Sequence, residues 1–318
     1  MNHKTVFNIF KIVVSLGLLT FIFTNLDAAA FLRSIRGADP RWLTAALVMV
    51  MLGVVTRAFR WQILLTAIGV SVPLVQLTAI YFIGFLFNNL LPSGLGGDAI
   101  RMLELRPYTE HGSDTVTSVV VDRFLGLSAL QGIALLALIY DWGAVPAFVA
   151  YFTVFIYITG LVAGYLLINR PLYLVLQNRF SLFRRVTKIS FIGKLFESFQ
   201  RYPLPALGRS YMVAVLFNIT WIAAVSFIGL ALDAKATLVQ YAVFVPITSL
   251  ALLIPISFAG LGVREETYRQ LFGQIGVPSE TAVAISLLVY VFGNICTGLI
   301  GGVIYLLRSA RSVVSEKG

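Results

Sequence analysis

Apolar runs long enough to cross a bilayer alternate along this chain with short polar connections. A hydrocarbon core needs about 20 mostly apolar residues per helix. Such runs fall near residues 6–26, 42–66, 115–140, 145–168, 210–232 and 281–307. Two further apolar stretches, 74–91 and 237–258, run straight into glycine-rich, charged sequence. The first continues as Asn88-Asn89-Leu90-Leu91-Pro92-Ser93-Gly94-Leu95-Gly96-Gly97-Asp98, the second as Pro255-Ile256-Ser257-Phe258-Ala259-Gly260-Leu261-Gly262-Val263-Arg264-Glu265. The pattern predicts an all-α polytopic membrane protein, one integral domain over residues 1–318, with about six full transmembrane helices. It also predicts two glycine-rich re-entrant hairpins near 74–113 and 237–276. Pro92, Gly94, Gly96 and Gly97 would turn the first backbone, and Pro255, Gly260 and Gly262 the second.

Composition agrees with this pattern. The chain is 58% hydrophobic and 12% charged, with a mean hydropathy of +0.89, whereas a soluble domain carries about 25% charged residues. No globule of this size hides that much apolar surface from water, which excludes a soluble enzyme and a nucleic-acid-binding domain. Cys296 stands alone, and His3 and His111 are too few for a histidine metal cluster, so neither a metal nor a cofactor is expected.

Charge orients the spans. Between Asn169 and Ser210 lie Arg170, Arg179, Arg184, Arg185, Lys188, Lys194, Arg201 and Arg209 against one acid, Glu197, so most of the net charge of +10 sits there. A basic cytoplasmic loop over 169–209, facing anionic lipid, fits that concentration. Within it Ile189, Ile192, Leu195, Phe196 and Phe199 fall at helical spacing, as in an amphipathic segment lying on the leaflet. With eight simple spans this loop and the basic C-terminus (Arg308, Arg311, Lys317) would face opposite sides; with two re-entrant hairpins both are cytoplasmic, as is the N-terminus. Arg33, Arg36 and Arg41 then fall outside, against the rule. The segment Ile12–Phe23 reads as an uncleaved first span and not as a secretory leader.

Charges inside apolar runs need a role or an escape route. Arg57 and Arg60 share one helix face and suit either interface anchoring or anion attraction. Asp98 and Arg101, three apart after Gly96-Gly97, would share a face of a short helix, with Asp98 either capping it or serving the site. Asp122 and Arg123 point about 100° apart, so each seeks a partner elsewhere, among Arg101, Asp98, Arg264 and Glu265, in a structural pair or a binding site. Arg264 offers a second anion contact, with Glu265 fixing its orientation. Gly-Leu-Gly recurs at 94–96 and 260–262, and interrupted segments at corresponding places in two halves point to an inverted-repeat transporter site.

The ordered set Asn88-Asn89-x-x-Pro92-x-Gly94-x-Gly96-Gly97-Asp98-x-x-Arg101, Asp122-Arg123-x-x-Gly126-Leu127 and Gly260-Leu261-Gly262-Val263-Arg264-Glu265 resembles the signatures of the lysylphosphatidylglycerol-synthase transmembrane-region family. That family includes the YbhN-like inner-membrane proteins and the flippase module of the multiple-peptide-resistance factors. The resemblance covers nearly the whole chain and extends to the segment from Arg57 to Trp61. It implies an inner-membrane lipid transporter that moves an anionic phospholipid or lipid-linked headgroup, with membrane lipids as partners. It implies no synthase activity, because these 318 residues leave no room for a soluble aminoacyltransferase domain. By position, Asn88, Asp98, Arg101, Asp122, Arg123, Arg264 and Glu265 would contact substrate, and none would be catalytic. Three other readings stay open: an ion- or proton-coupled carrier of a small solute, a membrane-embedded lipid-modifying enzyme using Asp98 and Asp122 to hold a divalent ion, and a non-transporting membrane scaffold.

Overall fold

A computed structural model describes residues 3–90, 96–109, 112–187, 190–254 and 256–315. Its helices are α1 (His3–Thr24), α2 (Ala28–Arg36), α3 (Pro40–Ala67), α4 (Leu74–Leu90), α5 (Gly96–Leu105), α6 (Gly112–Tyr140), α7 (Ala147–Ile168) and α8 (Arg170–Arg179). They continue as α9 (Ser181–Thr187), α10 (Ser190–Gln200), α11 (Leu204–Ala231), α12 (Leu238–Ala251), α13 (Val263–Gly273), α14 (Ser279–Tyr290) and α15 (Thr297–Ser315). A π-helical segment, Val291–Cys296, joins α14 to α15. No strand occurs among the described residues.

Five helical stretches among the described residues are long and apolar enough to cross a membrane: α3, α6, α7, α11 and the continuous Ser279–Arg308 rod. The 22-residue α1 adds a shorter apolar segment, Val13–Ile22. This is a polytopic all-α membrane protein. Local chemistry sets several boundaries. Asp39 caps α3 by accepting from the Arg41 N–H, with Pro40 in the first helical position. Thr237 and Gln240 form a reciprocal capping box at the start of α12. The outer face of α7, with Phe148, Tyr151, Phe155, Leu161 and Tyr165 all exposed, is apolar, as a surface facing lipid tails must be.

The two exceptional stretches fold as helical hairpins. Helix α4, 17 residues long, rises about 25 Å and α12, with 14 residues, about 21 Å; both fall short of a core of about 30 Å. Each turns back into a partner, α5 on α4 and α13 on α12. In the second, the rings of Tyr241 and Phe244 meet Phe272 at 5.3 and 5.2 Å. The first helix of each hairpin packs on the long element that follows the other hairpin, α4 on α15 and α12 on α6, while α3 and α11 pack together between them. The contact of α4 with α15 is backbone to backbone. A Cβ on Gly301 would lie 1.9 Å from the Phe82 carbonyl oxygen, so glycine is required there.

The glycines divide by role. Gly260 and Gly262 carry φ of +77° and +83° and turn the second hairpin as expected. Gly96 and Gly97 open α5 and do not turn the chain. A Cβ on Gly97 would lie 2.5 Å from the Gly84 carbonyl oxygen, so what it supplies is close approach of α5 to α4. Pro92, Gly94 and Pro255 lie outside the described residues. The basic segment also differs from expectation. In α10, Phe199 is buried and stands edge-on to Phe124 at 5.0 Å, while Phe196 stacks on Tyr173 at 3.6 Å. Phe196 and Phe199 thus pack on protein, while the side chains of Ile189, Ile192 and Leu195 lie outside the described residues.

Candidate functional site

Helices α3, α4, α5, α6 and α11, the end of α12 and the π-helical segment line a partly open cavity of about 370 Å³. Among the described residues its charged lining is four arginines, Arg57, Arg60, Arg101 and Arg123, against Asp98 and Asp122. Asp122 is 1% exposed and is the hub. Its carboxylate accepts from Arg60 Nε at 2.6 Å, Arg101 Nη2 at 3.1 Å and the Tyr81 hydroxyl at 2.9 Å. These are charge-assisted bonds in a water-poor setting, the strong class of hydrogen bond. Asp98 accepts from Arg101 Nη1 at 3.2 Å and pairs with Arg123.

The i, i+3 spacing of Asp98 and Arg101 on α5 thus does what the sequence suggests. Asp122 and Arg123, adjacent on α6, each find a partner elsewhere. Asp98 turns its carboxylate to Arg101 and Arg123. Asn88, at the end of α4, accepts from the Gly97 N–H at 2.6 Å and pins the start of α5 beside the cavity. Arg101 lies over the rings of Tyr81 and Trp61, at 4.0 and 4.3 Å, in cation–π contact.

Arg60 is 3% exposed and ion-paired, so it is no interface anchor. Arg57, one turn earlier on the same face, is half-buried. Its guanidinium lies 4.3 Å over the Phe217 ring and 5.7 Å from that of Phe85. No carboxylate among the described residues comes within ion-pair distance of it. Two buried donors of the described cavity arginines also lack an acceptor: Arg60 Nη1 and Arg101 Nε. The first lies beside Gly126, where a Cβ would come within 2.8 Å of it.

Arg264 and Glu265 do not line this cavity. Glu265, 0% exposed, accepts from Arg264 Nη2 at 2.6 Å, from the Ser286 hydroxyl at 3.1 Å and from the Gly262 N–H at 2.6 Å. Arg264 is also stacked on Tyr290 at 4.4 Å. The pair closes on itself and ties the start of α13 to its own hairpin turn and to α14. One link leads toward the cavity, the Tyr290 hydroxyl donating to Asn89 at 3.4 Å.

Other lining residues had not been singled out: Tyr81, Phe217, Asn218, Trp221, Ser249 and Asn294. Asn218 donates to the Gly126 carbonyl at 2.9 Å, and Asn89 to the Asn294 carbonyl in the π-helical segment at 2.7 Å. A lone asparagine inside an apolar span is itself a signal, because polar side chains at membrane depth are costly. Ring contacts across helices leave no such trace.

Comparison with known proteins agrees with the motifs. The family model described as the lysylphosphatidylglycerol synthase TM region matches residues 8–301. A UPF0104 membrane protein of Pyrococcus horikoshii is similar, at 25% identity over 310 residues, covering 88% of this chain and 90% of the relative. The signature residues, the all-helical membrane architecture and a match over nearly the full length converge on one assignment: the chain belongs to the lysylphosphatidylglycerol-synthase transmembrane-region family.

Proposed function

We propose that this protein binds an anionic lipid headgroup in the arginine-lined cavity and carries it from one leaflet to the other. The observation that carries the reading is the set of four arginines around about 370 Å³ inside an apolar helical bundle. Charges at membrane depth cost roughly 2.5–3.5 kcal/mol each even on the mildest scale, so such a cluster is retained for an anion that must pass. Asp98 and Asp122 hold three of the arginines in place and limit the desolvation penalty. The role is carriage without chemistry: the carboxylates are spent on arginines and the Tyr81 hydroxyl on Asp122.

The reciprocal packing of the hairpins, α4 on α15 and α12 on α6, supports two halves related by inversion. Rocking one half against the other would expose the cavity alternately, with the hairpins entering the membrane and leaving on the same side. The protein sits in the inner membrane in this reading, with the basic helices α8–α10 and both termini cytoplasmic.

The test is a leaflet-accessibility assay in proteoliposomes holding a headgroup-labelled anionic phospholipid. Wild type exchanges the lipid between leaflets, and Arg57→Gln, which breaks no ion pair, folds normally and loses exchange. Wild-type vesicles that exchange lipid no faster than protein-free ones would refute the reading.

A further inference from the structure

The charge balance of the cavity goes further than its sign. This step rests on the reading that the cavity takes a headgroup, and it names what that headgroup carries. Four arginines face two aspartates among the described lining residues, a surplus of two positive charges. The surplus has an address. Asp122 pairs with Arg60 and Arg101, and Asp98 with Arg101 and Arg123, so these three arginines share two negative charges and carry one of the surplus charges between them; the other is Arg57, which has only ring faces for company. One turn away, Arg60 Nη1 is buried without an acceptor among the described residues, packed closely against Gly126, where a Cβ would crowd it at 2.8 Å. Both residues line the same cavity from one face of α3.

We infer that the cavity selects a headgroup bearing two negative charges on phosphorus, a terminal phosphate monoester or a diphosphate, over a singly charged phosphodiester. A phosphate monoester carries close to two charges near neutral pH and offers three acceptor oxygens. Guanidinium forks match such oxygens in paired hydrogen bonds. A phosphodiester brings one charge and two free oxygens, which would leave a buried positive charge and an unmet donor.

The same cavity says that the phosphate arrives on a lipid. Leu252 and Leu253, at the end of α12, line it and are 36% and 47% exposed. Ile254 and Ile256 follow, exposed by 57% and 41%. This apolar lip at the rim suits an acyl or prenyl chain lying outward while the phosphate sits inside. A soluble anion has no use for it.

The experiment measures binding to the purified full chain in detergent at pH 8, by native mass spectrometry with titration. The probes are dioctanoyl phosphatidate, a short prenyl diphosphate, dioctanoyl phosphatidylglycerol, and inorganic phosphate and pyrophosphate. At least one doubly charged lipid is expected to bind about tenfold or more tightly than phosphatidylglycerol, with the inorganic anions far weaker. Arg57→Gln should bring the preference within about threefold, and Arg57→Lys should keep most of it. Equal binding of phosphatidylglycerol overturns the charge inference and leaves the lipid reading standing, as does an unchanged preference in Arg57→Gln for the role of that residue. Inorganic phosphate or pyrophosphate binding as tightly as the lipids overturns the lipid source. Binding of none of the lipids overturns the proposed function itself.

Discussion

Replacing Asp122 with asparagine tests how the cavity is held together. The carboxylate meets Arg60 at 2.6 Å, Arg101 at 3.1 Å and the Tyr81 hydroxyl at 2.9 Å while 1% exposed. Asparagine keeps the shape and one acceptor oxygen but removes the charge that two buried guanidiniums share. Removing one partner of a buried ion pair costs about 3–5 kcal/mol. The surviving amide acceptor places Asp122→Asn near the lower end, about 3 kcal/mol. The surplus in the cavity rises from two positive charges to three, so Arg60→Gln in the same chain should restore part of the loss. The double variant should be more stable than the sum of the singles by about 1–3 kcal/mol, the coupling expected of residues in contact. Equilibrium unfolding in mixed micelles of mild and denaturing detergent, followed by tryptophan fluorescence, measures all three. An Asp122→Asn protein within about 0.5 kcal/mol of wild type, or strict additivity in the double variant, would refute the hub.

Other variants separate the remaining contributions. Arg123→Gln removes a partner of Asp98 whose side chain is 38% exposed, so the loss in the same unfolding assay should stay below about 1 kcal/mol. Arg264→Gln leaves the 0% exposed Glu265 without its cation; it should destabilise by about 3–5 kcal/mol while the folded fraction binds lipid as wild type does. Gly301→Val drives a side chain into the Phe82 backbone. It should cost at least about 1–3 kcal/mol, read as a lower melting temperature in detergent, whereas Gly302→Ala, whose Cβ meets only the flexible end of Leu86 at 3.7 Å, should be nearly neutral.

Much of the fold was legible because membrane spans announce themselves by length and apolarity, as α3, α6, α7 and α11 do. The hairpins were legible as apolar runs that stop early at glycine and charge. Within the site, periodicity along one helix was informative: it put Asp98 with Arg101, put Arg57 with Arg60, and sent Asp122 and Arg123 in different directions. It could not name partners across helices. Arg60 lies 62 positions from the aspartate it serves, and nothing in the spacing links α3 to α6. For the same reason Arg264 looked like a second cavity cation. Its neighbour Glu265 and Ser286 on α14 hold it instead, a closure that depends on the turn at Gly262 and not on helical spacing. The π-helical segment carrying Asn294 was invisible because one widened turn leaves the hydrophobic pattern intact.

The most direct measurement is an experimental structure with dioctanoyl phosphatidate bound. The account expects phosphate oxygens within about 3 Å of Arg60 Nη1 and the Arg57 guanidinium, with the acyl chains leaving over Leu252 and Leu253. Phosphate held only on the basic surface of α8–α10, with the side chains of the cavity unmoved and no lipid among them, would contradict it.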